Sequence, residues 1–550
     1  MSKITDIEDL IIIKKEISNI KDKSIFNSFE FIKKIKKEYK INCSKIDLIN
    51  VYNELKIDDN VFKQKIIKKV QKSQSGIVSI TVLTSGTPEY TNEKGERIKE
   101  TFSCLHKCSF CPDEKPSIEN NWVQQPKSYL YTEPAVLRAN QNEFDPIKQM
   151  NSRISSLIKM GHIVDKVELL VLGGTWSEYP KEYQEEFIRN LYYAANVYYN
   201  EEKREILTLE EEIGINEYAK IHIIGLTLEM RSDSININEI KRLRRFNCTR
   251  VQLGVQHTNN KILKMNNRGE TVETTIKALR LLKNNCYKVD IHLMLNLYGS
   301  SPELDREMLK TILDNPDLQI DQLKIYPCAI VPFTKIKELY ENGIYKPYDD
   351  KYLFELIKEF KINIKKYIRI NRIIRDISGH YIIAGYSQQF TNMRQILNAD
   401  MIKNNWKCNC IRCREVKNNE INVEDIKLEI IKYKGNDGDE YFISYETEKY
   451  LIGFIRLRLN YNYTKDVISD LIGCGLIREL HIYSNLSNVG NHKEISLQHK
   501  GFGKALIKKA EEITKIKGFT KMAIISGTGV RDYYRHQGYK LINTYMIKDL

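Results

Sequence analysis

Three cysteines, Cys104, Cys108 and Cys111, fall within ten residues, SCLHKCSFCP, at the spacing CxxxCxxC. Three thiolates on one loop suit three irons of a four-iron (4Fe-4S) cluster and leave the fourth iron without a protein ligand. An iron left open in this way binds a small molecule directly, the arrangement that prepares S-adenosylmethionine for radical generation. The same thiolates suit a zinc knuckle, which needs a fourth ligand, and His106 inside the run is the nearby candidate. A second trio, Cys408, Cys410 and Cys413 in KCNCIRCREV, spans six residues and forms a tighter chelate. Soft ligands this close suit a structural zinc joining two domains. One more ligand is required, with Cys328, His380 and His492 as candidates. Cys43, Cys248, Cys286 and Cys474 read as ordinary small apolar residues.

Further chemistry-bearing residues follow apolar runs. Gly173-Gly174-Thr175 ends the run Val167 to Leu172; glycines there let a ligand approach the backbone, although such a pair alone is more often a turn than a site. GLTLEMRSD (225–233) places Glu229 and Arg231 at the end of another run, where a carboxylate and a guanidinium hold an aminoacyl or ribose group or form a structural ion pair. TRVQLGVQ (249–256) carries Gln252, and LKIYP (323–327) puts Lys324 on a strand. Near the C-terminus QHKGFGK (Gln498, His499, Lys500, Gly501, Phe502, Gly503, Lys504) precedes a helical pattern from Ala505 to Lys517, so successive N–H groups at a helix N-terminus are available to a pyrophosphate. IISGTGVRDYYRHQGY (524–539) reads as a strand, a glycine turn and a short helix with Tyr533 and Tyr534, of which at least one is expected in the core.

These residues need a scaffold, and four regions supply it. Residues 1–75 show apolar positions at helical spacing (Ile32, Ile35, Tyr39; Ile46, Ile49, Tyr52, Leu55) with lysines between them, a small basic helical module. From Gly76, β-branched runs alternate with helices through 385, which predicts a parallel sheet, open or curled towards a barrel, with ligand chemistry at the C-terminal ends of the strands. Residues 386–427 hold the second cysteine trio. Residues 428–550 read strand, strand, strand, helix, strand, helix, strand.

The chain of 550 residues carries 86 Lys and Arg against 72 Asp and Glu, a net charge of +14. Such an excess favours polyanions, because each neutralised phosphate releases counterions. Much of it is crowded into Phe31 to Lys40 and Lys63 to Lys72, for which a solvated helix face is the plainer reading. No apolar run is long enough to span a bilayer, and MSKITDIEDLIIIKK lacks the pattern of a secretory signal. Clustered cysteines without such a signal point to metal in a reducing, cytoplasmic compartment.

The ordered motifs CxxxCxxC, YTEPAVLRA (131–139), LGGTW (172–176), GLTLEMRSD, TRVQLGVQ, NRGETVE (267–273), HLMLNLYGSSPELD (292–305) and LKIYP resemble the Elongator catalytic subunit family, elongator protein three. That family couples a radical S-adenosylmethionine domain to a C-terminal acetyltransferase domain. The resemblance implies an α/β chain: a helical tRNA-binding module (1–75), a radical SAM partial (β/α) barrel (76–385), a zinc-binding linker (386–427) and a GCN5-related N-acetyltransferase domain (428–550). It implies a four-iron cluster on Cys104, Cys108 and Cys111, and S-adenosylmethionine near Gly173, Gly174, Glu229, Arg231, Gln252 and Lys324. Acetyl-CoA is expected at QHKGFGK, at Glu479, Leu480 and His481 of LIRELHIY (476–483), and at Tyr533 and Tyr534, with Lys324 and both tyrosines as catalytic residues. The implied activity is radical addition of an acetyl-CoA-derived carboxymethyl group to C5 of the wobble uridine of a tRNA anticodon stem-loop, with no membrane involved and with accessory subunits or a second copy as possible partners. Two other classes remain open: a histone- or tubulin-directed lysine N-acetyltransferase with a structural iron-sulfur domain, and a radical RNA methylase or thiolase, which has no need of QHKGFGK.

Overall fold

The computed structural model describes residues 7–20, 26–55, 59–67, 76–102, 104–387, 390, 392–417, 419, 421–463, 465–483 and 501–550. Gln498, His499, Lys500, His492 and the stretch Lys68 to Lys72 lie outside them. Alternating strands and helices force parallel pairing, because each helical crossover returns the chain in the same direction. The strands β1 (Val78–Leu83), β4 (Lys166–Leu172), β5 (His222–Met230), β6 (Arg250–Gln256), β7 (Lys288–Leu295), β8 (Gln322–Pro327) and β9 (Arg369–Arg372) form one parallel sheet in sequence order; β2 (Glu89–Thr91) and β3 (Arg97–Lys99) make a separate hairpin. With β1 and β9 as its two edges, the sheet is a partial barrel.

Crossover helices earn their places through one buried stripe each. In Val272–Asn284 the Thr271 side chain caps the Thr274 N–H, and Ala278, Leu279 and Leu282 face the sheet. Cys286 at φ 73° ends the helix and turns the chain into β7. Ahead of the sheet, helices Ile7–Ser18, Ser28–Tyr39, Lys45–Glu54 and Asn60–Ile66 close a core of their own around Phe31, Ile35, Leu48 and Phe62. Lys33, Lys36, Lys37 and Lys40 stay on the exposed side of the second helix.

The C-terminal region holds a second seven-stranded sheet in the order β10-β11-β12-β13-β14-β16-β15. Its strands are β10 (Lys427–Gly435), β11 (Gly438–Glu446), β12 (Leu451–Leu459), β13 (Cys474–Ile482), β14 (Lys521–Ile524), β15 (Lys540–Ile542) and β16 (Tyr545–Asp549). Four strands precede the long helix Phe502–Ile516, one more than expected. The extra one is β10, whose mostly exposed face lacks an apolar pattern; it is registered instead by a tight turn in which Asn436 and Asp437 both take positive φ. β13 and β14 run parallel, but pairing covers only Cys474–Ile477 of β13. A bulge at Arg478, where Arg456 opposes Glu479 and Leu457 opposes Ile477, turns the rest of β13 away.

This sheet packs on the barrel. Phe442, Phe454, Leu476 and Tyr545 belong to the same apolar cluster as Val289, Leu323 and Ile368. Across the join runs a buried ionic network. Arg478 donates to both carboxylate oxygens of Asp321 at 2.6 and 2.7 Å and to Glu440 at 2.8 Å. Arg456 reaches Glu479 at 2.8 Å and Asp321 at 3.5 Å, Lys288 reaches Glu479 at 2.9 Å, and Arg458 and Lys283 lie 2.8 and 3.4 Å from Glu440. Burial raises the Glu440 and Glu479 pKa values, yet Arg478 and Lys283 around the first and Lys288 and Arg456 around the second bring both down to about 2. Burial conversely lowers the Lys283 ammonium to about 8.

Removing one partner from such a cluster strands the others in low dielectric. Arg478→Met is expected to cost about 3–5 kcal/mol, read from the denaturant midpoint, with little dependence on salt because the charges are buried. Folded values of about 2 against an ordinary 4.5 mean that the glutamate contribution is complete above pH 4.5 and is lost as pH falls through about 2. The wild-type melting temperature should therefore fall across that interval more steeply than in Glu440→Gln.

Candidate active sites at the two ends of the barrel

The cysteine loop lies at the C-terminal ends of the strands, held from several sides. Lys127 donates to the carbonyls of Cys104 and His106 at 3.1 and 2.6 Å. Glu178, past the end of β4, accepts the Leu105 N–H at 3.0 Å and sits 3.3 Å from the His106 ring. Ser109 bonds Asn266 through backbone and side chain, and its carbonyl takes the Ile336 N–H at 2.8 Å. His106 thus faces carboxylates. Two guanidiniums approach the Cys108 sulfur, Arg268 at 3.6 Å and Arg231 at 4.0 Å. A hydrogen bond from the Cys111 thiol, opposed by burial and helped by Arg268, lowers the Cys108 pKa to about 5. The bond to Cys108 raises the Cys111 thiol and burial raises that of Cys104, so one sulfur of the three has thiolate character; three thiols on one loop with positive charge beside them are what an anionic iron-sulfur centre asks of its ligands, and the residues present fit the group. Cys104 stands 3.7 Å from Thr175.

The glycine pair ahead of Thr175 divides its roles. A Cβ on Gly173 would lie 2.0 Å from Thr84 of the neighbouring strand, so that glycine is required by packing; Gly174, at φ 112°, would meet nothing closer than 3.5 Å. Arg231 and Glu229 are not paired with each other. Arg231 is buried and binds Asp233 at 2.7 Å and the Arg268 carbonyl at 2.8 Å, whereas Glu229 accepts the Tyr129 hydroxyl at 2.7 Å and lies 3.7 Å from His292.

Inside the barrel Lys324 donates to Gln252 at 2.8 Å, Gln252 donates to Asp290 at 3.1 Å, and Asn371 joins Asp290 to Gln322 at 3.0 and 2.7 Å. Burial lowers the Lys324 pKa and raises that of Asp290. Arg250 closes this column below, bonding Gln322 at 2.9 Å and Glu168 at 2.9 Å.

Beneath Arg250 opens a cavity of about 1680 Å³, lined by the N-terminal ends of the barrel strands (Ser79, Glu168, Arg250, Lys288, Gln322, Arg369) and by the C-terminal sheet. Leu480, His481, Gly503, Tyr533, Cys408 and Cys413 line it as well. Gly501 caps helix Phe502–Ile516 at φ 82°, and the Ala505 N–H closes the first turn on its carbonyl, leaving the N–H groups of Phe502, Gly503 and Lys504 without helical acceptors. A Cβ on Gly503 would sit 2.6 Å from the Tyr533 hydroxyl. That glycine therefore lets Tyr533 lie across the helix N-terminus. Tyr534 is buried in the sheet's core, and Phe502 packs on Tyr445. Glu479 is spoken for by Lys288 and Arg456.

The second cysteine trio borders the same cavity. The Cys408, Cys410 and Cys413 sulfurs lie within 4.8 Å of one another, a spacing for a single ion, and among the described residues no fourth ligand joins them. Cys328 instead packs beside Cys108 and Ile330. Bonds from Cys408 and Cys413 hold the Cys410 thiol well below its usual pKa.

Residues 98–313 match the Radical SAM superfamily, and residues 320–403 match the Radical SAM C-terminal domain. A tRNA uridine(34) acetyltransferase of Methanocaldococcus infernus is 38% identical over 88% of this chain and 87% of its own length. The chain belongs to the Elongator complex protein 3 family. The Saccharomyces cerevisiae Elongator complex protein 3 is 31% identical over 94% of this chain and 91% of its own. A solved structure of the M. infernus Elp3 with residues 1–46 deleted superposes with a TM-score of 0.71 at 36% identity, covering 86% of this chain and all of that one. Lys127, Arg268, Arg250, Lys288 and Asp290 were not among the site residues expected from the sequence. Arg268 stood inside the quoted run NRGETVE and Arg250 inside TRVQLGVQ, while Lys127, Lys288 and Asp290 lay outside the quoted motifs.

Cys108→Ala should leave two thiolates, too few for three irons. Anaerobic reconstitution is expected to give about four irons per wild-type chain and a colourless variant; an intact cluster by absorbance and electron paramagnetic resonance would defeat the assignment. Gly503→Val should drive Tyr533 off the helix N-terminus, and coenzyme A binding by calorimetry should drop at least tenfold while iron content is unchanged.

Proposed function

We propose that this chain adds an acetyl-CoA-derived carboxymethyl group to C5 of the wobble uridine in tRNA anticodons, in line with the activity in the names of its uridine(34) acetyltransferase relatives. The observation that carries the reading is the pairing, in one rigidly joined chain, of an arginine-flanked three-thiol loop at one end of a barrel with a glycine-led helix N-terminus at the other. A cluster on Cys104, Cys108 and Cys111, when bound, supplies one-electron chemistry at an iron open to S-adenosylmethionine.

The protein's own groups have definite tasks in this reading. Backbone N–H groups from Phe502 to Lys504 hold the pyrophosphate, and Tyr533 closes over it. Glu229, held by the Tyr129 hydroxyl and bonded to no lysine or arginine among the described residues, is the carboxylate placed to meet a ligand above the lumen. Strands of this length separate the two ends of the barrel by roughly 15–20 Å, so the acetyl group has to enter the lumen past Arg250 and Gln322. Lys324, with its ammonium aimed at Gln252 and Asp290, is placed to hold an anionic carboxymethyl precursor or product there. An anticodon loop presents its base unpaired, with no duplex to open, and Lys33, Lys36, Lys37 and Lys40 form a phosphate-binding stripe for its stem. Cys408, Cys410 and Cys413 hold a structural zinc beside the cavity.

A lysine N-acetyltransferase leaves the cysteine loop and the guanidiniums beside it without a use. Among the described residues no helix is long and apolar enough to cross a membrane. Accessory subunits fit the same reading.

Reconstitution with iron, sulfide, S-adenosylmethionine, acetyl-CoA and tRNA, followed by nucleoside mass spectrometry, is expected to yield a carboxymethyl-type uridine; its absence alongside an acetylated protein would favour the lysine reading. Lys324→Ala should lose the modified nucleoside and keep coenzyme A release. Reversing the four lysines of helix Ser28–Tyr39 and its cap should weaken tRNA binding and flatten its dependence on log salt by about 0.7–0.9 per lost phosphate contact.

A further inference from the structure

Forming a carboxymethyl group from acetyl-CoA requires that the thioester be hydrolysed, and water at neutral pH needs a base to do so. Resting on the function proposed above, we infer that His481 is the general base that activates water against the thioester of acetyl-CoA. His481 stands on β13 beyond the Arg478 bulge, where the strand has parted from β14, and it lines the cavity shared with Gly503 and Tyr533. Its ring lies 6.2 Å from Phe454, nearly parallel to it, and 4.3 Å from Tyr483, which fix its plane. Its Nε2 is buried without a hydrogen-bond partner among the described residues. Buried polar atoms are usually hydrogen-bonded; His222 and His292 also leave a buried ring nitrogen without a partner, but of the three only His481 lines this cavity.

Three carboxylates that line the cavity with His481 are committed, and a fourth, Glu448, is exposed to solvent. Glu479, on the same face of β13, is bound by Lys288 and Arg456. Glu168 is paired with Arg250. Glu415 is paired with Arg369 of β9, which also donates to the Tyr483 hydroxyl. Tyr533 and Tyr534 are pushed further from ionisation by burial. Around His481 itself, burial lowers the imidazole pKa; Glu479 and Glu415 pull it up, while Arg369 and Lys288 push it down. The net is downward, so the ring is neutral at pH 7 and able to accept a proton.

In the step, water attacks the carbonyl carbon as His481 takes one of its protons. The tetrahedral centre then collapses, the C–S bond breaks, and the departing thiolate of coenzyme A recovers the proton from the imidazolium. The acyl carbon leaves as a carboxylic acid, which gives its remaining proton to solvent at neutral pH and becomes the carboxylate. No oxidant or reductant is consumed, and the same hydrolysis applies whether or not the methyl carbon has been joined to uridine.

The test uses the full-length reconstituted protein with acetyl-CoA and unfractionated tRNA, following free thiol release from pH 5 to 9. His481→Gln is expected to lower kcat by about 10²- to 10⁴-fold, with KM for acetyl-CoA and the calorimetric Kd for coenzyme A within threefold of wild type. The fall of kcat on the acid side should vanish with the imidazole, and added imidazole should restore release by His481→Ala. A kcat within threefold of wild type, or a loss confined to KM, overturns the proposal. Failure of His481→Gln to bind coenzyme A assigns the ring to binding or folding and likewise overturns it. Wild-type protein that binds coenzyme A yet releases no thiol would remove the hydrolysis and His481 with it; wild-type protein that binds no coenzyme A would remove the function proposed above.

Discussion

The buried ionic junction between the barrel and the C-terminal sheet is the constraint on which the other features rest. Asp321 precedes β8 and Lys288 opens β7, while Arg456 and Glu479 face each other across β12 and β13. Charges taken out of water carry a large desolvation cost, which only good geometry and mutual hydrogen bonding offset. Here Arg478 binds Asp321 through two nitrogens and Glu440 through one of them. An apolar seam tolerates sliding, whereas a guanidinium bridging two carboxylates fixes distance and angle together. The cavity exists because the two surfaces are registered at these points and kept apart between them.

The same network shapes the chemistry beside it. The bulge that turns Arg478 towards Asp321 also swings the rest of β13 away from β14, opening the sheet next to Gly503 and Tyr533. Glu479 is spent on the junction, so the strand's next inward-facing titratable side chain, His481, is the one left to the cavity. Structural need and catalytic opportunity are thereby divided between neighbours two residues apart, on one face of one strand.

Charge is distributed differently at the opposite mouth. The cysteine loop is gripped through its carbonyls by Lys127, while its sulfurs look toward Arg231 and Arg268. Those guanidiniums are themselves balanced by Asp233 and by Glu270, 2.7 Å from Arg268. Between the mouths the lumen is polar and hydrogen-bonded from Arg250 to Lys324, with one carboxylate oxygen of Asp290 left without a partner. A buried ammonium beside a carboxylate that burial pushes towards neutrality is poised to respond to an incoming anion. Lys324 matters to this architecture as a lumen group, set above the interdomain cavity.

Much was legible in the sequence because it was local. CxxxCxxC, the glycine turn ahead of helix Phe502–Ile516 and the apolar runs of β4 to β8 depend on residues a few positions apart, and the ordered motifs carried the family resemblance. What pairs across hundreds of residues was not legible. Nothing near Arg478 announces Asp321, nothing in LIRELHIY tells Glu479 from His481, and Gly173 looked like a ligand approach until Thr84 was placed against it. The sequence by itself determined which chemical groups exist, which strands and helices carry them, and which metal-binding spacings are present. Only the tertiary structure decided which charges neutralise one another, which mouth of the barrel each site occupies, and which side chain is left unpaired. The reason is that burial and Coulomb partnership are properties of the packed surface, created when distant segments meet.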